Sequence, residues 1–461
     1  MLPLTLSEIA AASDGTLENA RGDEIATGAV IDSRAAGPGD LFVALRGENT
    51  DGHRFAAQAV ASGAVVVLAE ASADVAGVPA IRVADPASAL TKIAALVRAR
   101  SAARVVAITG SSGKTCTKQM TAAALSVRFR VVASAASYNN ELGVPLTICA
   151  LEEDSEVLVA EVGSRGIGHI ASLMPLLAAD VAVVTNVGPA HFEMFGSLEN
   201  TTVAKGEIVE ALPADGVAVL NADDDRVAGM RARTDARAVT FGLIGDADVR
   251  AEDVHLDENG CATFHAVTPS GASKVSLRIP GEHMVSNALA ALAVAEALGV
   301  KVEDAAAAIG DVEALPWRMQ IADTAAGITV INDAYNANPA STAAALKTLA
   351  EIGAGRRTWA VLGEMAELGP ITAQEHDRLG RLAVRLGINR LVAVGAAARP
   401  ACEAARLECM TPEEAVWFPD AGAAISFLVG RVESGDVVLV KGSRVAGLER
   451  VAAALIGEDD A

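Results

Sequence analysis

Val105-Val106-Ala107-Ile108-Thr109-Gly110-Ser111-Ser112-Gly113-Lys114-Thr115-Cys116-Thr117 is the stretch on which the fold turns. The β-branched apolar run Val105–Ile108 predicts a buried strand, and the residues from Lys118 to Ser126 are compatible with a helix. Strand, glycine loop, Lys-Thr and helix together form the arrangement that holds nucleotide phosphates. Glycines let such a loop turn its N–H groups toward anionic oxygens, and the helix N-terminus adds partial positive charge. On this reading Gly110, Ser111, Ser112 and Gly113 cradle the phosphates of ATP. Lys114 reaches the β- and γ-phosphates, and the Thr115 hydroxyl binds Mg²⁺. One glycine of the longer spacing is missing, because Ile108 stands in its place, so the loop is T-G-x-x-G-K-T. A chance glycine turn is the bland alternative, and the preceding strand with Lys-Thr inside the loop disfavours it.

Further strand-like runs follow at Val131-Val132, Val157–Ala160, Val181–Val184 and Val217–Leu220, with helical stretches between them. That alternation predicts a doubly wound parallel sheet over residues 104–315. Ligands bind beyond the C-terminal ends of such strands, where this chain places Glu161 and then Thr185 to His191. Glu161 is suited to hold Mg²⁺ beside Thr115, although a capping carboxylate would look the same. A lone histidine such as His191 is more often a packing residue. Ala204-Lys205-Gly206-Glu207 reads as the opening of a helical segment, and nothing around Lys205 by itself assigns it a role. Residues 238–280 alternate and carry turn signals such as Asp257-Glu258-Asn259-Gly260, which predicts a β-rich insertion.

On either side the pattern restarts. Residues 1–103 read as a small α/β module with polar loops at Ser33-Arg34 and Asn49–His53, each following a strand; plain surface loops would read alike. Residues 316–461 read as a third α/β unit, with strands at Ile328–Ile331, Trp359–Leu362, Leu391–Val394 and Val437–Val440. Three α/β domains are therefore expected, the central one carrying the phosphate loop between a small N-terminal unit and a Rossmann-like C-terminal unit. The length of 461 residues agrees, at roughly 150 residues per domain.

Composition narrows the function classes. The formal charge of −21 argues against broad binding to nucleic acid or acidic membranes, while leaving room for a local basic pocket. No apolar run reaches the ~18–20 residues that cross a bilayer, so no membrane insertion is expected. The start, MLPLTLSEIAAASDG, lacks a basic n-region, and five scattered cysteines show no metal-ligand spacing; both point to a reducing cytoplasm.

Ten further segments carry a resemblance: YNNELGVPLT, EVGSRGIGHI, TNVGPAHFEMFGS, AKGEI, GEHMVSNALAA, WRMQ, NDAYNANPAS, VLGEMAELG, KGSR and the N-terminal DSR…PGDLFVALRGENTDGH. With TGSSGKT, they resemble the Mur ligase family of bacterial cell-wall synthesis over the whole chain. NDAYNANP and VLGEMAELG match best the branch that joins D-Ala-D-Ala to UDP-N-acetylmuramoyl-tripeptide. The sister branch that adds the third residue usually carries Asp-Asn-Pro-Arg, which is absent here. The folate polyglutamate ligases lack the N-terminal UDP-holding module.

The resemblance implies an ATP-dependent amide ligase acting through an acyl phosphate, with Lys114, His191 and Lys205 as catalytic residues and a monomer expected. Thr115 and Glu161 would hold a first Mg²⁺, and His191 a second. Lys205 matches the family lysine that CO₂ converts to a carbamate near that metal. Asn287 aligns with an adenine-contacting position and His283 lies beside it. Arg318, Asp333 and Asn336 of the third domain would close on the nucleotide. Ser33, Arg34, Asn49, Asp51, His53 and Asn140 would hold the UDP-substrate. The chain departs from the common family pattern at Val162, Ser164 and Trp317, none of them a ligand position. A nucleotide-dependent switch without covalent chemistry is the rival reading; it has no need of the Glu161, His191 and Lys205 set.

Overall fold

The computed structural model describes residues 1–47, 50–75, 77–135 and 137–457. Strand Arg104–Thr109 lies inside a nine-stranded sheet, between Val157–Glu161 and Val181–Val184 and parallel to both. Val131–Ala133 flanks one side, and Val217–Asn221 and Arg237–Gly242 continue the other, all parallel. The chain thus leaves Arg104–Thr109 toward one edge and later returns to its opposite side. That reversal opens a crevice at the strand's C-terminal end, which is where Gly110–Thr115 emerge.

Side chains alternate across this sheet and both faces are apolar. Val106, Ile108, Val157, Val159, Val181 and Val183 face the Lys114–Ser126 and His283–Ala297 helices. Val105, Ala107, Leu158, Ala160, Ala182 and Val184 face the opposite layer. A parallel strand covered by helices on both sides needs such continuous hydrophobicity, which accounts for the β-branched runs in the sequence.

The β-rich stretch expected at 238–280 forms, and what it corrects is the expectation of a wholly parallel sheet. Val249–Leu256, Cys261–Thr268 and Gly271–Pro280 extend the same sheet, and the last two are antiparallel. The central sheet is therefore parallel at its core with an antiparallel flank. The helix bearing Lys205 is corrected too. It runs Leu198–Glu210, and its N-cap is Ser197, whose hydroxyl accepts from the Asn200 amide. Lys205 consequently lies in the middle of the helix. The first helix after the phosphate loop starts earlier than its residue preferences suggest, at Lys114.

The N-terminal sheet joins Gly28–Val30, Asp40–Val43, Val66–Glu70 and Ala80–Val83 in parallel, with Thr16–Glu18 antiparallel at the edge. Its Leu41, Leu68 and Ile81, with Ile93 of the Pro86–Arg100 helix, merge with the second face of the central sheet. The C-terminal sheet has six strands, with Thr329–Asp333, Val437–Lys441, Thr358–Leu362, Arg390–Val394 and Ala415–Phe418 parallel. Gln320–Asp323 pairs antiparallel at its edge. The Pro339–Ile352 helix begins with a capping box between Asn338 and Ser341, which explains the Asn-Pro-Ala-Ser sequence. Its Ala345, Leu346 and Leu349 share a core with the central domain. Strand ends of the third sheet thereby face those of the central one.

Candidate active site

The phosphate loop is rigidly braced. The Ser111 N–H donates to the Asn186 carbonyl (3.0 Å), and the Ser112 N–H to Asn186 Oδ1 (3.0 Å). The Thr185 hydroxyl donates to the Ser112 carbonyl (2.7 Å), and Ser111 Oγ exchanges hydrogen bonds with Gly188. Gly113 has φ +79°, and a Cβ there would lie 2.5 Å from Asn287 Oδ1. Only glycine meets both demands. The first N–H groups of the Lys114–Ser126 helix have no partner within the helix and open on the crevice. The Lys114 side chain donates to the Gly110 carbonyl (2.8 Å).

Glu161 ends its strand beside this loop and is fully buried. It accepts from Thr115 Oγ1 (2.9 Å) and from Asn139 Nδ2 (2.8 Å). Lys118 Nζ stands 4.0 Å away while donating to the Ser134 carbonyl. A hydroxyl and a carboxylate side by side make an oxygen pair suited to Mg²⁺. Among the described residues no three His, Cys, Asp or Glu side chains cluster as a metal cage. Magnesium usually takes only one or two carboxylates and completes its shell with water and substrate phosphates.

Lys205 lines the same cleft from the Leu198–Glu210 helix and is buried. Among the described residues no carboxylate reaches ion-pair distance. Burial, and then the nearby Lys114 cation, push its pKa well below that of an ordinary lysine. As an ammonium it has no lone pair for a metal. As a free amine it is the form that adds CO₂, and the resulting carbamate would supply oxygen ligands. The residue therefore fits the modification. Lys114 is lowered as well, by burial first, with Glu161 opposing. His191 is lowered chiefly by burial, opposed by Glu367 and reinforced by Lys114. His283, at the start of the His283–Ala297 helix, is pushed down to about 4 by burial.

The third domain closes the cleft. Arg318 donates to Ser137 Oγ (3.1 Å) and stacks over the Tyr335 ring at 3.8 Å. Asp333 is paired with buried Lys441 (2.5 Å), which also donates to the Asn336 carbonyl. Asn338 Nδ2 reaches the Ser111 carbonyl (3.2 Å), and the Glu367 carboxylate meets His191 Nδ1.

One cavity of about 590 Å³ thus gathers Ser111, Ser112, Gly113, Lys114, Thr115, Asn140, Glu161, His191, Lys205, His283, Asn287, Arg318, Asp333 and Asn336. Gly110 packs beneath it against Thr185. Ser33, Arg34, Asp51 and His53 lie in the N-terminal module and do not line it. Arg34 is held by Asp32 (2.7 Å), and both nitrogens of His53 are taken, by Asp51 (2.6 Å) and by the Glu70 amide (3.0 Å). Asn49 lies outside the described residues. Asn139, Asn186, Asn338, Glu367 and Lys441 received no role from the sequence, although all five sit inside the segments that carry the resemblance. A second cavity of about 360 Å³ adjoins at His283, walled by Leu243, Ile244, Ala343, Lys347 and Thr348.

Comparisons with known proteins agree with this architecture. Three family models match: the Mur ligase family catalytic domain over residues 26–100, the Mur ligase middle domain over 108–295, and the glutamate ligase domain over 317–444. A UDP-N-acetylmuramoyl-tripeptide–D-alanyl-D-alanine ligase of Mycobacterium tuberculosis is 42% identical, covering 100% of this chain and 99% of its own. A crystal structure of MurF from Acinetobacter baumannii superposes with a TM-score of 0.87 at 34% identity, covering 99% of each chain. MurF from Thermotoga maritima in complex with ADP gives a TM-score of 0.79 at 28% identity, over 94% of this chain and 97% of that one.

Proposed function

The chain belongs to the Mur ligase family, and from that premise we propose that it joins D-Ala-D-Ala to UDP-N-acetylmuramoyl-tripeptide, converting ATP to ADP and phosphate in peptidoglycan precursor synthesis. The observation that carries this reading is a single cleft holding Lys114, the Thr115–Glu161 pair, His191 and Lys205 at strand ends, faced by Arg318 and Asp333 of another domain.

A carboxylate oxygen of the tripeptide attacks the γ-phosphorus, and ADP leaves. The amine of D-Ala-D-Ala then attacks the acyl carbon; phosphate leaves with that carboxylate oxygen, and the amine gives up a proton. Two anions must meet in the first step, so positioning and positive charge are the main requirements. Lys114 swings from the Gly110 carbonyl onto the transferring phosphoryl group. Mg²⁺ held by Thr115 and Glu161, with a second ion near His191 and a carbamylated Lys205, would add charge neutralisation. The nucleotide runs from the loop past Asn287 and His283 toward the smaller cavity, while Arg318, Asp333 and Asn336 cover it and keep water from the acyl phosphate. Ser33, Arg34, Asn49, Asp51, His53 and Asn140 belong to the UDP-substrate side, with Asn140 at the cleft itself.

The chain would act in the cytoplasm as a monomer; among the described residues no helix is long and apolar enough to cross a membrane. The test supplies UDP-N-acetylmuramoyl-tripeptide and ATP with either D-Ala-D-Ala or a free diamino acid. Phosphate release with the dipeptide alone is expected. Release only with the diamino acid would instead indicate the sister activity.

A further inference from the structure

The Gly363–Gly369 segment, within the quoted VLGEMAELG, has no part in the chemistry above, yet it is held more firmly than a connecting loop requires. The Gly363 N–H donates to the Lys441 carbonyl (2.8 Å), and the Ser443 N–H to the Glu364 carbonyl (2.8 Å). The Met365 N–H donates to His376 Nε2 (3.1 Å), and the Ala366 N–H to Ser443 Oγ (2.8 Å). Met365 and Leu368 are buried on either side. This frame keeps Glu367 in the left-handed region at φ +62°, where a side chain of its kind is uncommon.

The consequence of that backbone lies across the domain boundary. The Glu367 carbonyl accepts from the Glu193 N–H (2.9 Å), and its carboxylate meets His191 Nδ1. His191 is itself left-handed, at φ +53°. Gly369 has φ +54°, and a Cβ there would stand 3.1 Å from the Glu193 Cβ, so the close approach requires glycine. Strain on both sides of one contact, maintained by its surroundings, is the pattern of a functional placement.

We propose that Glu367 is a positioning residue, whose carboxylate fixes the orientation and tautomer of His191 when the third domain closes on the central one. A carboxylate at Nδ1 requires the proton there, which leaves the Nε2 lone pair free toward the cleft shared with Lys114 and Lys205. The imidazole would then be set for its role only in the closed molecule. The inference deepens the ligase reading and its kinetic arm rests on that reaction.

The test uses the full chain with UDP-tripeptide and a non-hydrolysable ATP analogue, its histidines ¹⁵N-labelled. Seven histidines keep the spectrum sparse, and the resonance lost in His191→Asn gives the assignment. The wild type should show the Nδ1-protonated tautomer at His191, and Glu367→Ala a mixture. Glu367→Ala should lower kcat about 10- to 100-fold with KM for the UDP-tripeptide unchanged. In a His191→Asn background the same change should cost less than about twofold, since the two residues act as one unit. Glu367→Gln, which keeps an accepting oxygen, should restore the tautomer and most of the rate. An unchanged tautomer in Glu367→Ala, or an equal loss in both backgrounds, overturns the proposal. Should Glu367→Ala not fold, Glu367→Leu, which keeps bulk and accepts nothing, is read by the same two criteria. A wild type that releases no phosphate from the three substrates would count against the ligase reading alone.

Discussion

Three lysines crowd one end of the central sheet, and their different surroundings give them different work. Lys118 is spent on the Ser134 carbonyl and the Glu161 carboxylate. Lys114 rests on a backbone carbonyl that it can leave without breaking an ion pair. Its replacement in Lys114→Ala should lower phosphate transfer by roughly 10²–10³-fold. Binding of the UDP-substrate, measured by calorimetry, should be unchanged, because Ser33 and Arg34, proposed to hold its UDP end, belong to another domain. Lys205 is buried with a lowered pKa and receives no carboxylate among the described residues. Lys205→Ala should lose most activity and regain part of it with added acetate or formate. Full activity in the untreated variant would remove the carbamate from the account. His283 gives a pH dependence. Its folded pKa of about 4 lies below the unfolded value near 6.5, so between those values the unfolded chain binds a proton that the folded chain does not. Stability should therefore fall as pH drops from 6.5 to 4, on the order of 2 kcal/mol from this residue. His283→Gln should flatten that part of the curve in urea titrations.

At the scale of elements, the strands that hold the site were legible because burial on both faces demands continuous β-branched runs, as at Val181–Val184. The loop was legible because Gly-Lys-Thr follows such a run. The antiparallel flank showed its alternation in Cys261–Thr268, but which sheet it would join depends on pairing with Arg237–Gly242 and Val249–Leu256, which no local pattern encodes. The position of Lys205 within its helix could have been read from Ser197, a good N-cap eight residues upstream. Glu367 could not, since its partner His191 is 176 residues away and is chosen by domain docking. Close helix packing in the third domain yields a prediction of its own. A Cβ at Gly380 would lie 2.1 Å from the Ala401 carbonyl, where the Thr372–Arg385 and Arg399–Leu407 helices cross. Gly380→Ala should destabilise the chain by about 1–3 kcal/mol in thermal unfolding, with activity per folded molecule unchanged. Unaltered stability would mean that the helices separate freely.

For the whole molecule, two continuous cores tie the outer domains to the two faces of the central sheet, while the proposed active cleft lies at the seam with the third domain. Arg318, stacked on Tyr335 of its own domain, bridges that seam to Ser137. Arg318→Ala should raise the KM for ATP and increase the share of ATP hydrolysed without ligation, measured as the ratio of phosphate released to peptide formed. The proposed ligation stands on activation of a carboxylate by phosphorylation in this cleft. Labelling the terminal carboxylate of the UDP-tripeptide with ¹⁸O tests it most directly. With ATP and D-Ala-D-Ala present, each phosphate released should carry one oxygen from that carboxylate. Phosphate free of the label, with peptide still formed, would contradict it.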